Sequence, residues 1–473
     1  MQPKKVLLIN PPFLHTISSC QPKIFEEGIE YLPPLGLMYI AGYLRERSQH
    51  RPEILDCQVE EIKYEKLGEE IKKRNPAVVG ITAMTFTLID VIKTAEIVKK
   101  TNPNIKVILG GPHVNIYPEE TMETKVIDFI VFGEGEEPMK ELLDNINDTQ
   151  ALYGVKGIVF RDGEKIINTG QRELIKDLDS MPFPARDLTP YKKYSSVLAQ
   201  KPPVTTMFTS RGCPYKCLFC DRPHLGKVFR SHSAKYVIDE MKECKKLGIN
   251  EIMIYDDTFT IDRQRVVDIC NMLIEEKIDI LWDVRARVNT VDEELLKLLA
   301  KAGCKRIHYG VEAGTEKILN VLRKGITLGM AEKAFYLTKK AGIQTLGYFM
   351  IGSPEETLED IEATKKFIKK ISPDYIHVTV TTPFPATELY YRALREGVIK
   401  SDAWKEFARN PNENFVPPSW NKELDREELF SLLKQIYRSF YFRPSYILGR
   451  MARLGSVKEL TNKALAALRL LRA

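Results

Sequence analysis

No uncharged apolar run in this sequence approaches the roughly 18 residues that a membrane-spanning helix needs. The first apolar run, residues 6–9, is too short for the core of a signal peptide, and Asn10 and Pro11 follow it directly. Cysteine is scarce, with 8 residues in 473. A disulfide scaffold is therefore excluded, and we expect a cytoplasmic protein.

No strong charge imbalance marks most of the chain either. The net charge is +6, and residues 441–473 carry this excess with seven basic side chains against the single acid Glu459. The rest is neutral, so a nucleic-acid partner is not expected. Hydrophobic residues make up 44% and charged residues 28%, which is typical of a globular protein and excludes a disordered or collagen-like chain. A length of 473 residues predicts two or three domains.

The first predicted domain covers residues 1–150. Short β-branched runs alternate there with amphipathic patterns such as Leu37, Ile40, Ala41 and Leu44. This alternation predicts a doubly wound, Rossmann-like sheet of five parallel strands with an α/β architecture. The predicted strands are residues 6–9, 53–55, 77–82, 106–109 and 129–132.

Ligands of such sheets bind at the carboxyl ends of the strands. The loops predicted there are rich in glycine and small polar residues, which suits a close backbone approach to a ligand. Plain turn chemistry is the alternative for any one loop. The absence of G-x-G-x-x-G at the first turn argues against a dinucleotide. The candidate ligand residues are Asn10, Pro11, Thr82, Met84, Thr85, Gly110, Gly111, His113, Gly133, Glu134 and Gly135.

Three further segments follow. Residues 151–200 read as a hairpin and linker, because alternation around Asp162-Gly163 is followed by several prolines. Residues 201–400 contain six βα units, which predict a partial (β/α)6 barrel of the TIM type with its active site at the C-terminal rim. Residues 401–473 are predicted to be a helical C-terminal region.

Three cysteines directly after the first barrel strand carry the candidate chemistry. Cys213, Cys217 and Cys220 have the spacing C-x3-C-x2-C. Zinc requires a fourth ligand, for which His224 or His232 is close in sequence. A four-iron cluster held by three thiolates leaves one iron open to bind a small molecule. Burial of the three cysteines for packing alone is the remaining alternative.

The motif, with Phe219 before its last cysteine, resembles that of the radical S-adenosylmethionine superfamily. The resemblance implies that the three cysteines hold a [4Fe–4S] cluster and that S-adenosylmethionine binds its open iron. Reductive cleavage of the sulfonium would then produce a 5′-deoxyadenosyl radical that abstracts hydrogen from the substrate. Phe219 is similar to the aromatic residue that packs near the adenine.

Segments after the later strands also resemble this superfamily: residues 255–259, 310–314, 323–327, 349–357 and 381–389. The last departs at Ala386, where many relatives have glycine. Each segment taken alone is also explained as rim structure or a helix cap, for example by Thr357. The residues that the resemblance assigns to S-adenosylmethionine are Phe219, Asp256, Gly310, Glu312, Arg323 and Gly352.

An α/β domain that opens with Leu-Ile-Asn-Pro-Pro ahead of such a barrel resembles the cobalamin-binding radical S-adenosylmethionine enzymes. The candidate loop residues of the first domain then become cobalamin contacts. No Asp-x-His-x-x-Gly occurs in the sequence, so we expect cobalamin without a histidine below the cobalt. His113 is expected to meet the nucleotide tail.

The resemblance implies an enzyme that modifies an unactivated carbon, with C-methylation as the leading reaction. Radical oxidative cyclisation or rearrangement, as in anaerobic porphyrin cyclases, is the alternative. tRNA or protein modification is a further one, although only Cys20 and Cys57 precede the linker, too few for a second cluster. The last alternative is a non-enzymatic corrinoid or redox sensor.

The expected partners are a small-molecule substrate and a reducing electron donor of the flavodoxin or ferredoxin type. The basic, amphipathic tail is compatible with a lipid-like substrate and a peripheral membrane contact, whereas a capping helix with a solvated basic face is the favoured alternative. Four aromatic residues near the barrel rim are predicted either to touch the substrate or to fill the barrel: Tyr309, Tyr348, Phe349 and Tyr375.

Overall fold

The computed structural model describes residues 2–17, 31–221, 226–420, 422 and 424–451, with side chains to residue 448. Cys20, His224 and most of the basic tail lie outside these ranges. The predictions of a lipid-like substrate and a membrane contact depended on that tail, so the structure does not bear on them. The division of the chain at residues 150, 200 and 400 stays a prediction.

The N-terminal sheet contains seven strands in the order β2-β1-β3-β4-β5-β6-β7. The first five in this order are parallel, which confirms the predicted doubly wound sheet, and the last two are antiparallel. We assigned the hairpin to the connector; the structure instead pairs it with β5, where it covers a strand edge. The strands are β1 (Lys5–Asn10), β2 (Arg51–Asp56), β3 (Val78–Thr82), β4 (Lys106–Gly110), β5 (Phe129–Val131), β6 (Ile158–Asp162) and β7 (Lys165–Asn168).

Helices cover both faces of this sheet. The parallel strands are therefore buried on both sides, and β1 is buried throughout except at its first residue. Helices α1 and α5 pack together, as do α2 and α3. The helices are α1 (Leu35–Arg47), α2 (Tyr64–Arg74), α3 (Leu88–Thr101), α4 (Pro118–Met122), α5 (Glu136–Asn145) and α6 (Thr149–Leu152).

The second sheet is an open half-barrel of six parallel strands in the order β15-β14-β13-β12-β11-β8. Within the described ranges β8 and β15 do not pair, which confirms a partial barrel. Strands β9 and β10 form a separate antiparallel pair. The strands are β8 (Val204–Met207), β9 (Ser210–Arg211), β10 (Arg230–Ser231), β11 (Glu251–Ile254), β12 (Leu281–Ala286), β13 (Cys304–Glu312), β14 (Gln344–Ile351) and β15 (Tyr375–Val380).

The helices outside the half-barrel start at short polar side chains. The Ser233, Asp262 and Thr327 side chains each accept a hydrogen bond from a backbone N–H of the first helical turn. Thr357 and Asp360 form a capping box, so Thr357 does start a helix. The helices are α7 (Ala234–Lys246), α8 (Arg263–Glu275), α9 (Glu293–Lys301), α10 (Glu316–Val321), α11 (Leu328–Lys340) and α12 (Leu358–Ile371).

The C-terminal region adds α13 (Glu388–Arg395), α14 (Ala403–Arg409), α15 (Arg426–Tyr441) and α16 (Pro444–Met451). Helix α15 covers the edge strand β15, because the Tyr437 hydroxyl accepts from Val378 N at 2.8 Å and donates to Val378 O at 3.1 Å. None of the described helices is long and apolar enough to span a membrane.

Gly314 allows the end of β13 to cross α12 closely. A Cβ at Gly314 would collide with Thr364 Cα and lie 2.8 Å from Thr364 N. We expect Gly314→Ala to lower the free energy of unfolding by about 1–3 kcal/mol. Gly329→Ala in α11 is the control, because a Cβ there would meet only the Thr327 hydroxyl, at 3.9 Å, and alanine there should stabilise by about 0.5–1 kcal/mol. Thermal unfolding measures both, and a neutral Gly314→Ala would contradict this packing.

Candidate active site between two facing rims

The cysteine loop, described over residues 212–221 and 226–229, follows β8 and β9 and is held by neighbouring elements. Strands β9 and β10 flank it and pair with each other. In its middle, Leu218 N donates to Leu322 O at 3.0 Å, and Leu218 O accepts from Leu389 N at 2.9 Å. The loop is thus fixed to the half-barrel and to α13.

Asp256 fixes the chain that enters this loop. Its fully buried carboxylate accepts from Thr209 N at 2.6 Å, Thr209 Oγ1 at 2.5 Å, Ser210 N at 3.0 Å and Ser210 Oγ at 2.7 Å. We predicted Asp256 as an S-adenosylmethionine contact, which stays a prediction. The described bonds give it a positioning role, because they occupy both of its oxygens.

The three thiols lie in a partly cationic environment. Cys217 is buried and its Sγ accepts from Arg287 Nη1 at 3.6 Å, while the Arg287 guanidinium stacks on the Tyr215 ring at 3.8 Å. Burial, followed by the charges of Cys217, Asp257 and Cys213, raises the pKa of Cys220 to about 12, and Lys324 opposes this. Iron binding would supply the positive charge that deprotonates such thiols.

The donor set fits an iron–sulfur cluster better than a single zinc ion. Within the described ranges, no three His, Cys, Asp or Glu side chains are close enough to hold one ion. In a cluster each thiolate binds its own iron, so the thiols need only surround a common space. His232, the candidate for a fourth zinc ligand that the structure describes, is fully buried. It hydrogen bonds to Asp179 at 3.2 Å and stacks on Tyr236 at 3.9 Å.

Three of the predicted S-adenosylmethionine residues come together beside the loop, joined by Lys324. Lys324 Nζ pairs with Glu312 Oε1 at 2.7 Å and lies 5.6 Å from the centre of the Phe219 ring. Glu312 has φ 81° at an irregularity in the pairing of β13 with β14. A Cβ at Gly310 would be 2.6 Å from the Glu312 carboxylate and 2.9 Å from Lys324 Nζ, so a larger residue there would displace this ion pair.

Arg323 lies apart from this group. Its exposed side chain pairs with Glu388 at 2.6 Å, and the assignment of Arg323 to S-adenosylmethionine stays a prediction. The sequence analysis missed Lys324. Two basic residues are adjacent there, and no sequence signal says which one turns inward.

The segment after β14 is shaped by close packing. Gly352 has φ 76°, and a Cβ there would be 2.8 Å from Leu429 Cδ1 of α15. The buried Glu356 carboxylate accepts from Ser353 N at 2.8 Å, and its Oε1 is buried without a hydrogen-bond partner. Ala386 has φ 60°, in the region that favours glycine, which accounts for the glycine of similar proteins.

The predicted cobalamin residues lie at the carboxyl ends of β1, β3, β4 and β5 or on the loops that follow them. Two of these loops interlock, because Ala83 N donates to Gly110 O at 2.7 Å and Gly111, with φ 103°, lies against Ala83. Gly133 faces open space. The order β2-β1-β3 places the topological switch point, where ligands of such folds bind, between β1 and β3.

His113 is a structural residue of this rim. It is fully buried, with Nδ1 3.1 Å from Thr85 Oγ1 and Nε2 3.1 Å from Thr121 Oγ1. Burial lowers its pKa to about 3, so the ring is neutral. Both nitrogens are occupied, which agrees with the expectation that His113 is not a cobalt ligand; its contact with a nucleotide tail stays a prediction.

Asn10 is also engaged within the domain. Its Nδ2 donates to Asp56 Oδ1 at 2.8 Å, and its Oδ1 accepts from Gln58 at 3.3 Å. Gln58 Nε2 donates to Pro11 O at 3.2 Å as well. These bonds connect the ends of β1 and β2.

Apolar side chains are exposed on both sides of the switch point. Phe13 is 45% exposed, Leu14 47% and Met84 47%, and they lie on the loops after β1 and β3. Exposed large apolar groups that cluster in this way are typical of a ligand surface. They fit the broad, largely apolar face of a corrin ring.

A buried ion cluster joins this rim to the cysteine loop. Arg211 donates to Glu134 at 2.7 Å and to Glu136 at 2.6 Å, and Arg230 donates to Glu134 at 2.9 Å. Burial alone would raise the pKa of Glu134, but the two arginines outweigh it and lower it. Glu134 and Gly135 were predicted to contact cobalamin; the structure uses the Glu134 side chain to hold the two rims together.

The C-terminal region closes one side of the space between the rims. The Phe86 ring, on the loop after β3, packs edge-on against Phe384 at 5.5 Å and Trp404 at 5.9 Å. The hydroxyls of Tyr117 and Tyr390 both donate to Asp402, at 3.1 and 2.6 Å. Sequence patterns gave no sign of this contact, because it joins segments far apart in the chain.

Three thiols on an open half-barrel that faces a doubly wound sheet are the arrangement of a two-domain radical enzyme. The family described as B12 binding domain matches residues 29–143, and the family described as Radical SAM superfamily matches residues 207–368. An uncharacterized methyltransferase from Pyrococcus horikoshii is 37% identical over 95% of this chain and 95% of its own length.

The anaerobic magnesium-protoporphyrin IX monomethyl ester cyclase of Rubrivivax gelatinosus is 30% identical over 88% of this chain and 75% of its own length. The chain therefore belongs to the radical S-adenosylmethionine enzymes that carry a B12-binding domain, as the sequence analysis predicted. The cofactors of this class are a [4Fe–4S] cluster, S-adenosylmethionine and cobalamin.

A solved structure shares the fold across both domains. It is the radical S-adenosylmethionine methyltransferase TsrM from Kitasatospora setae with cobalamin and a [4Fe–4S] cluster bound. Its TM-score is 0.67 at 19% identity, over 84% of this chain and 75% of that chain. At this identity the likeness shows the fold alone.

Glu136→Gln tests the ion cluster. The change leaves the buried Arg211 with one carboxylate instead of two, so we expect the free energy of unfolding to fall by about 1–3 kcal/mol. Glu137→Gln is the control, because the neighbouring Glu137 pairs with the partly exposed Arg172 at 2.8 Å, and a loss below about 1 kcal/mol is expected there. Thermal unfolding that affects both variants equally would contradict the proposed cluster.

Glu356→Gln tests the buried carboxyl after β14. Burial raises the pKa of Glu356 from 4.5 to about 7. A carboxyl with a raised folded-state pKa destabilises the fold as pH rises from about 4.5 through about 7, by roughly 2–3 kcal/mol. Urea unfolding between pH 5 and 8 should show this loss in the wild type and in Glu355→Gln, whose side chain is exposed. An unchanged slope in Glu356→Gln would refute the assignment.

Proposed function

We propose that this enzyme transfers a methyl group to an unactivated carbon of a small molecule. One observation carries the proposal: the Arg211–Glu134–Glu136 cluster joins the cysteine loop to the rim of the B12-binding domain. Radical C-methylation requires a radical initiator and a methyl donor at the same substrate carbon. When bound, the cluster and S-adenosylmethionine supply the radical, and cobalamin supplies the methyl group.

Different residues of this chain would hold the iron–sulfur cluster and S-adenosylmethionine. Cys213, Cys217 and Cys220 would hold the cluster, with the Arg287 guanidinium next to the Cys217 sulfur. Fixed positive charge at such a sulfur stabilises the thiolate form and tunes the cluster potential.

Phe219, Glu312 and Lys324 would hold S-adenosylmethionine. The Phe219 ring supplies an apolar surface for the adenine, and the Glu312 carboxylate can accept hydrogen bonds from ribose hydroxyls or a cation. Lys324 neutralises Glu312 and also fixes its direction, since the two side chains form a buried ion pair at 2.7 Å. This assignment predicts that Lys324 matters for binding although it need not touch the ligand.

Cyclisation is the second candidate, because the Rubrivivax gelatinosus relative is named as a cyclase and covers most of this chain. The product of S-adenosylmethionine separates the two reactions. Methylation would form S-adenosylhomocysteine alongside 5′-deoxyadenosine, since one molecule of S-adenosylmethionine would serve as the methyl source and a second as the radical source. Cyclisation without methyl transfer forms 5′-deoxyadenosine alone.

Substrate, electron donor and location follow from the same proposal. The relatives' names favour a small-molecule substrate, and we keep a lipid-like substrate and a peripheral membrane contact as proposals. A flavodoxin or ferredoxin would supply the electron. The cytoplasm suits an enzyme whose seven described cysteines are all free thiols.

The first test replaces Cys213, Cys217 and Cys220 together with alanine. Anaerobically reconstituted wild type should hold about four irons and bind one cobalamin, and it should form both S-adenosylhomocysteine and 5′-deoxyadenosine. The variant should lose iron and both products but retain cobalamin. Cys270→Ala is the control, because Cys270 lies on α8 with its side chain buried in the core, and its replacement should leave iron and products unchanged.

Iron content and chromatographic product analysis measure these outcomes. A variant that still forms 5′-deoxyadenosine would refute the cluster assignment. A wild type that forms 5′-deoxyadenosine without S-adenosylhomocysteine, with its substrate present, would replace methylation by cyclisation.

A further inference from the structure

Strand β12 presents an arginine to the inside of the half-barrel below the cysteine loop. Trp282, Val284 and Ala286 belong to the hydrophobic core, and alternation turns Arg285 and Arg287 to the opposite face. Arg287 reaches the Cys217 sulfur at 3.6 Å. The face that carries Arg285 is therefore the one on which the cysteine loop lies.

The acid nearest to Arg285 along the strand is already neutralised. Asp283 pairs with Arg306 at 2.6 Å. Among the described residues, no carboxylate forms an ion pair with Arg285, whereas the buried Arg186 pairs with Glu240 and the buried Lys324 with Glu312. Arg285 is thus a cation on the inner wall without an anionic partner in this part of the chain.

Neutral groups hold the Arg285 guanidinium in place. It stacks on the Tyr255 ring at 3.9 Å, donates to Tyr255 O at 3.4 Å and hydrogen bonds to the Tyr348 hydroxyl. Arg306 Nε donates to His308 Nε2 at 3.2 Å, so His308 Nδ1 carries the proton and donates to the same hydroxyl at 3.1 Å. None of these partners compensates the charge of Arg285.

Some of the Arg285 donors remain available. A guanidinium has five N–H groups, and Tyr255 O and the Tyr348 hydroxyl accept only part of them. The Arg285 side chain is half-buried rather than fully enclosed, and none of its nitrogens is a buried atom without a hydrogen-bond partner. A fixed planar cation with accessible N–H groups is suited to a carboxylate or a phosphate.

We propose that Arg285 binds an oxyanion, a carboxylate or phosphate group, of the ligand that occupies the half-barrel. This inference rests on the proposed function, because it takes the half-barrel as the space for S-adenosylmethionine and substrate. The carboxylate of S-adenosylmethionine and an acidic group of the substrate are two sources of the same chemistry. Tyr348, predicted to touch substrate or to fill the barrel, then helps to orient Arg285.

The test uses the reconstituted full-length enzyme with Arg285→Met and Arg285→Lys. Arg263→Met is the matched control, because Arg263 is exposed on α8 and pairs with Glu294 at 2.7 Å. Equilibrium dialysis measures the affinity for S-adenosylmethionine and for decarboxylated S-adenosylmethionine. Calorimetry measures the binding of inorganic phosphate and of succinate to the S-adenosylmethionine-loaded enzyme. Iron content and thermal unfolding show that each variant is folded and loaded.

If S-adenosylmethionine supplies the carboxylate, Arg285→Met should weaken its binding about 10- to 100-fold. Arg285→Lys should restore part of the affinity, and the decarboxylated compound should bind all variants equally. If the substrate supplies the oxyanion, S-adenosylmethionine binding should not change, and phosphate or succinate binding should be lost in Arg285→Met only.

Equal binding of all four probes by wild type, both Arg285 variants and the control would overturn the proposal. Failure of the wild type to bind S-adenosylmethionine would instead count against the proposed function. The phosphate and succinate measurements, made then without S-adenosylmethionine, would still decide the role of Arg285.

Discussion

The buried Arg211 and the half-buried Arg230 connect the halves of this molecule through two buried glutamates. Arg211 precedes Cys213 by two residues, and Arg230 ends the same loop. Their partners are Glu134, on the loop that follows β5, and Glu136, the first residue of α5. Charges buried this deeply are tolerated only when they are paired, so the two domains must meet in one orientation. That orientation places the cysteine loop next to the rim of the B12-binding domain.

Other contacts extend this constraint to the rest of the site. Asp256 holds the residues before Arg211, and the backbone of Leu218 binds both the loop after α10 and the start of α13. The C-terminal region then packs against Phe86 on the opposite rim. Asp256, Leu218 and the C-terminal region therefore fix the cysteine loop relative to the rim of the B12-binding domain. The C-terminal region closes one side of the space between the two rims.

Several rim residues that the sequence predicted to bind a ligand instead form hydrogen bonds or ion pairs within the protein. His113, Asn10 and Glu134 are polar residues on glycine-rich loops, and all three are engaged within the protein. A short loop at a strand end needs side chains to satisfy its backbone and its neighbours, and a ligand needs the same donors and acceptors. Loop composition therefore locates the rim without identifying which of its residues face the ligand.

The linear sequence determined much of this protein by itself. Hydrophobic periodicity predicted both parallel sheets, because apolar runs at the period of strands and helices reflect local burial. The C-x3-C-x2-C spacing by itself left zinc, an iron–sulfur cluster and plain packing open. The resemblance of the motif to the radical S-adenosylmethionine superfamily indicated the cluster.

Tertiary structure alone decided which side chains meet. It selected Lys324 over Arg323 as the partner of Glu312, extended the first sheet with the hairpin and joined Arg211 to two glutamates of the other domain. Among the residues that the structure describes, it also gave Arg285 no carboxylate in an ion pair, since Asp283 pairs with Arg306. The physical reason is that charge pairing and edge pairing depend on distances between segments far apart in the chain, and no local pattern encodes those distances.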